Sequence, residues 1–151
     1  MTSRLRASDE GNAIIEFVFV AIVVLMPLIY LIVAVAVVQR SNLAVTQAAR
    51  EAGRAFATSD RPDQTAARVN AAVRLALEDQ GLDEHVELRY VAADASCAAS
   101  PVQPRLSPGA QFAICVSRRV ELPAVPSVLA GRGITTVGRY VVHVDDFRAA
   151  P

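Results

Sequence analysis

The sequence lacks the features by which most enzymes, metal-binding proteins and nucleic-acid-binding proteins are recognised. Its fifteen basic residues, all of them arginine, balance fifteen acidic ones, so the formal net charge is zero and nothing indicates a nucleic-acid partner. It contains no Gly-x-Ser-x-Gly motif, no phosphate-binding glycine loop and no histidine pair at ligand spacing. The only two cysteines, with His85 and His143, do not form a zinc-binding spacing. The sequence therefore predicts a protein that is not an enzyme and has no cofactor.

One long apolar run, residues 13–38, directly follows a short charged leader. As a helix this run would extend about 39 Å at ~1.5 Å per residue, enough to cross a hydrocarbon core of ~30 Å. Pro27 lies inside it, and prolines are tolerated in membrane helices. Glu16 is its only ionisable side chain besides Tyr30. Insertion of an acidic side chain into a membrane costs roughly 2.5–3.5 kcal/mol near the centre of a helix, and less near an end. A helix that served only as a lipid anchor would gain nothing from such a residue.

Gly11 precedes Glu16 by five positions, and Phe17 follows the glutamate. This spacing resembles a prepilin processing site. Because glycine has no side chain, a membrane-embedded peptidase could approach its backbone closely and cut after it. Cleavage would leave an ammonium on Asn12, one helical turn before Glu16. A carboxylate at that depth can pair with the ammonium of a neighbouring subunit, which would fix both register and partner.

Two other interpretations of this N-terminal region remain open. In the first, the run is an unprocessed anchor and Glu16 only extends towards the membrane interface. In the second, signal peptidase cuts after Ala36, because Ala34-Val35-Ala36 has the A-x-A form of its sites. The run is longer than the 7–15 apolar residues typical of a signal peptide, and Glu16 is unusual within one.

The two cysteines, Cys97 and Cys115, both follow the apolar run. Their separation suits one disulfide in an oxidising compartment, which would stabilise the fold by about 3 kcal/mol. The alternative is a pair of buried free thiols. We expect Cys115 to lie on the less buried face of its strand, opposite Phe112 and Ile114, where the preceding loop can reach it.

The remaining periodicity predicts an α+β fold, in which a second helix packs on a three-stranded antiparallel sheet. An alanine seam at Ala44, Ala48 and Ala52 suggests that the end of the first helix packs on its own domain. Ser59 or Asp60 is the expected cap of the second helix, and Gly81 its stop. The predicted helices are 12–57 and 64–80, and the predicted strands are 86–92, 111–122 and 134–146.

These elements predict three parts of the chain: a cytoplasmic leader, 1–11; a transmembrane and stalk helix, 12–57; and an extracytoplasmic α+β domain, 58–151. The location outside the cytoplasm follows from the expected disulfide, because the positive charges that flank the span are almost balanced.

Residues 11–57 resemble the N-terminus of TadE/TadF-like minor pseudopilins of the tight-adherence (Tad, or Flp-type) type IV pilus system. The resemblance covers about a third of the chain and includes Gly11, Glu16, Phe17, the apolar run and the alanine-arginine stretch 48–55. It implies a structural or assembly-priming pilus subunit, cleaved after Gly11 by a prepilin peptidase. It also implies other pilin subunits, membrane lipid, and an assembly platform with its cytoplasmic ATPase as partners.

Two functions from other classes remain as alternatives. One is an unprocessed single-pass membrane protein whose outer domain binds a partner or ligand. The other is a secreted soluble domain released by signal peptidase.

Overall fold

The computed structural model describes residues 9–82, 85–122 and 133–147, so most of the predicted leader lies outside the described residues. Within them the predicted α+β fold is confirmed, with a long N-terminal helix, a second helix and a three-stranded antiparallel sheet. The chain divides into two compact units, Met1–Ala36 and Val37–Pro151. The elements are α1, Asp9–Ala57; α2, Pro62–Glu78; β1, Glu87–Ala92; β2, Gln111–Val120; and β3, Ile134–His143.

Helix α1 begins three residues earlier than predicted, at Asp9, and is helical through Gly11 and Pro27. Proline has no N–H, so the carbonyl of Val23 loses its usual partner in the helix. The helix nevertheless continues to Ala57, as the unbroken apolar and alanine-rich pattern predicts.

The predicted cap of α2 is wrong. The N-cap residue is Arg61, and no side chain caps the first turn. Pro62 occupies that turn, and its missing N–H removes one of the groups that a cap would satisfy. The hydroxyl of Ser59 is instead buried, 2.8 Å from that of Thr65. Gly81 follows the helix with a φ of 62°, in the left-handed region that glycine favours at a helix stop.

The sheet has the order β1-β2-β3, and both neighbouring pairs are antiparallel. One face of the central strand β2 carries Phe112, Ile114 and Val116, which are buried in a single core with residues of both helices. The predicted alanine seam is part of this core, since Ala44, Ala48 and Ala52 are fully buried. The core residues from α2 are Val69, Val73, Ala76 and Leu77.

Small residues allow the second half of α1 to approach β3 closely. The hydroxyls of Ser41 and Thr136 form a buried hydrogen bond of 2.8 Å. Gly138 lies against the backbone of Val45, and a side chain there would collide with the carbonyl group. Gly53 lies against the ring of Tyr140. The packing between α1 and β3 therefore depends on glycines from both elements.

Candidate processing and assembly site

The predicted processing residues lie in the first turns of α1. Gly11, Asn12, Glu16 and Phe17 are all within the helix. Residues four apart in a helix share one face, so α1 places Asn12 and Glu16 on the same side, about 6 Å apart along the axis. Glycine makes a helix interior about 1 kcal/mol less stable than alanine does, and Gly11 lies in the first turn of α1.

The apolar part of α1 has almost no protein around it. Glu16 is exposed, and so is Phe17, at 74 %. Among the described residues there is one helix, Ala13–Ala57, long and apolar enough to cross a membrane, and only 6 % of its most apolar window is buried. A core helix of a soluble protein would be mostly covered. Lipid or neighbouring helices are the surroundings that suit this surface.

In the second unit the predicted disulfide is confirmed: Cys97 is bonded to Cys115, with their Cα atoms 5.7 Å apart. The expectation that Cys115 lies on a less buried face is wrong, because this residue is only 2 % exposed. It belongs to a second buried cluster with Val91 and Ala113, on the opposite face of β2 from the helices. Ala95 and Cys97, from the loop after β1, pack against this cluster.

Two arginines also hold this loop, which we call the covering loop (residues 93–100). Arg89 on β1 and Arg139 on β3 are both register partners of Cys115. The Arg89 guanidinium donates hydrogen bonds to the carbonyl oxygens of Cys97 and Ala99, at 3.3 and 3.4 Å. Arg139 donates to the carbonyl oxygen of Ala93. The covering loop is therefore attached to all three strands.

Sequence reasoning missed both arginines. A charged side chain that alternates with apolar ones along a strand is ordinary and indicates no particular role. Their role depends on a register that places both opposite Cys115, and no local pattern gives that register.

We expect the disulfide to contribute about 3 kcal/mol without being the only attachment of the covering loop. Cys97→Ser/Cys115→Ser should lower the stability of the domain by that amount and leave it folded. Adding Arg89→Ala should then make the covering loop accessible to protease. The measurements are thermal unfolding and limited proteolysis of the full chain in detergent. Two alkylated cysteines in unreduced protein from its native host would contradict the disulfide.

The described residues contain no group of three or more His, Cys, Asp or Glu side chains that could hold a metal ion. The chemistry of the predicted site rests instead on one backbone bond, between Gly11 and Asn12, and on one carboxylate, that of Glu16.

Comparison with known proteins supports the N-terminal motif. No curated protein and no solved structure matches the chain. Residues 11–54 match the model of the family described as TadE-like protein. This match covers about a third of the chain and contains Gly11, Asn12, Glu16 and Phe17. The predicted resemblance is confirmed, and over this segment the chain is similar to TadE-like proteins.

Proposed function

We propose that this protein is a minor pilin or pseudopilin of a Tad-type surface pilus. The observation that carries the proposal is the TadE-like segment 11–54, on a helix whose apolar run, residues 13–38, is uncovered and contains a single carboxylate, that of Glu16. The protein would act as a structural or assembly-priming subunit and perform no catalysis. Its proposed partners are other pilin subunits, membrane lipid, a prepilin peptidase, and an assembly platform driven by a cytoplasmic ATPase.

The first proposed step is hydrolysis of the bond between Gly11 and Asn12. Water adds across this peptide bond, which leaves a carboxylate on Gly11 and an ammonium on Asn12. The leader, residues 1–11, stays on the cytoplasmic side. The low helix propensity of Gly11 favours local opening of the first turns of α1, which gives the peptidase access to the backbone.

The second proposed step is assembly through Glu16. In an apolar surrounding an isolated carboxylate is costly, and an opposite charge from a neighbouring subunit offsets that cost. The new ammonium on Asn12 of the next subunit supplies such a charge. Exposed apolar side chains beside Glu16, among them Phe17 and Phe19, would pack between helices in the same contact.

The disulfide supports a location of the domain outside the cytoplasm, because such bonds persist in oxidising compartments. We therefore propose a single-pass arrangement. The transmembrane and stalk helix is 12–57, and the extracytoplasmic domain is 58–151.

The charge of Glu16 should decide assembly without affecting membrane insertion. Glu16→Gln keeps the size of the side chain but removes the charge. We expect it to be inserted and cleaved as the native chain is, yet to be depleted from pili by roughly tenfold or more, the factor that corresponds to ~1.4 kcal/mol. The measurement is quantitative immunoblotting of sheared pilus fractions against membranes. Val18→Ala is a control, since it removes bulk from the other side of the same helix without changing its charge.

Equal recovery of Glu16→Gln and the native chain in pili would contradict pairing through Glu16. Absence of the native chain from pili, with the leader still attached, would favour an unprocessed membrane protein.

A further inference from the structure

A cavity of about 510 Å³ lies within the second unit, where the end of α1, the start of α2 and β1 meet a proline-rich segment. Its volume is within the range of ~300–1,000 Å³ that is usual for ligand pockets. None of the predicted site residues lines it. The lining residues are Phe56, Pro62, Thr65, Ala66, Tyr90 and the segment 104–108.

The wall of this cavity is suited to an aromatic side chain. Phe56 and Tyr90 belong to an aromatic cluster with Phe112, in which the rings of Phe56 and Phe112 meet edge to face at 4.7 Å. Aromatic rings prefer edge-to-face contacts with one another, so a further ring that entered the cavity could make such contacts with Phe56 and Tyr90. Burial also raises the pKa of the Tyr90 phenol, so this ring stays neutral well above physiological pH.

One large aromatic side chain of the described residues has almost no protein around it. Phe147 is 97 % exposed. A turn presents it, because the Asp145 carboxylate accepts a hydrogen bond of 2.9 Å from the Phe147 N–H. Just before this turn, the backbone N–H of Val144 donates to the carbonyl oxygen of Ala110, which fixes Val144 beside the segment after the cavity wall. Phe147 is thus held in solvent and does not occupy the cavity of its own chain.

The charges around the two features are complementary. Arg105 lines the cavity and is exposed, whereas Phe147 is preceded by the two exposed carboxylates of Asp145 and Asp146. Asp63, beside Pro62 of the cavity wall, pairs with Arg61 at 3.1 Å. The two carboxylates and the aromatic ring of residues 145–147 are therefore complementary to a basic group and to the apolar cavity beside it.

We propose that this cavity is a docking site for the segment 145–147 of a second copy of this chain. Phe147 of one copy enters the cavity between Phe56 and Tyr90 of the other, and the two aspartates approach Arg105. A contact of this kind joins different surfaces of the two copies. If each copy binds the segment of the next copy, the contact builds an open filament. If two copies each bind the segment of the other, the contact closes a dimer. The contact does not depend on cleavage at Gly11 or on Glu16.

Photo-crosslinking between labelled and unlabelled copies tests this contact directly. One copy of the full chain carries the photo-crosslinker p-benzoylphenylalanine at position 147. It is mixed with an equal amount of a second copy, which is labelled with heavy nitrogen and lacks the crosslinker. Both copies are in detergent, with micelles in excess. After irradiation, mass spectrometry identifies the joined peptides. We expect crosslinks from position 147 to labelled peptides that contain Tyr90 or Leu106.

A pair of variants in the labelled copy makes the test specific. Ala66→Trp places a large side chain at the cavity wall, on the exposed side of α2, and should lower these crosslinks roughly tenfold, as expected for the loss of one buried aromatic anchor. Ala67→Trp, at the adjacent exposed position outside the lining, should leave them unchanged. Crosslinks confined to one copy, crosslinks elsewhere on the labelled copy, or no crosslinks between copies would overturn the proposal. Equal effects of the two tryptophans would do so as well.

Discussion

Gly138→Ala should destabilise the domain by about 2–3 kcal/mol, towards the upper end of the cost of overpacking a core. A Cβ atom at position 138 would lie well inside van der Waals contact with the carbonyl group of Val45 and the backbone of Thr46. Since these are backbone atoms, no side chain can turn aside to make room. Helix α1 has to move away from β3, which also breaks the buried hydrogen bond between Ser41 and Thr136.

Thermal unfolding of the full chain in detergent, followed by near-ultraviolet circular dichroism of its aromatic cluster, measures this effect. For a domain of 60–100 residues each 1 kcal/mol shifts Tm by about 4–8 °C, so we expect a fall of roughly 10 °C or more. Gly53→Ala is the matched comparison. Its new methyl group meets the ring of Tyr140, which is 36 % exposed, and the side chain of Val142, so the atoms that must shift belong to side chains and not to the backbone. Alanine also stabilises a helix by about 1 kcal/mol relative to glycine. Equal Tm values for Gly138→Ala and the native chain would contradict the close packing of α1 on β3.

The features that were predicted correctly are local in the sequence. Helix α1 follows from an unbroken apolar run that continues as an alanine seam, and the strands follow from alternation such as that of Phe112, Ile114 and Val116. The candidate processing site is also local, because Gly11, Asn12 and Glu16 lie within two turns of one helix. Its residues were proposed from spacing alone, and their role in processing stays a prediction.

The features that were missed depend on residues far apart in the sequence. From the sequence alone, Gly138 is a residue that weakens a strand. Its role becomes clear only when α1 packs against it and leaves no room for a side chain. The burial of Cys115 follows from the covering loop, which is held by Arg89 and Arg139 through a register that spacing does not give. The cap of α2 was predicted wrongly for a local reason, since Pro62 already reduces the need for a side-chain cap.

Gly11→Leu should prevent processing almost completely. The proposed peptidase has to approach the backbone at this position, and a leucine side chain both fills that space and strengthens the first turns of α1 by about 1 kcal/mol. Membrane insertion should be unchanged, because the apolar run is intact. The measurement is the intact mass of the protein from cells with an active pilus system. Ala13→Leu is the matched control: it adds the same side chain two positions later and should leave cleavage unaffected. If Gly11→Leu is processed as efficiently as this control, the role of Gly11 as the recognised residue is contradicted.

The proposed function depends most directly on the N-terminus of the native chain in its own cells. Intact mass combined with N-terminal sequencing of membrane and pilus fractions determines it in one experiment. We predict a chain that begins at Asn12, with Cys97 and Cys115 oxidised. A chain that still begins at Met1 would identify an unprocessed membrane protein, and one that begins at Val37 a secreted domain. Either result would contradict the proposal of a processed pilus subunit.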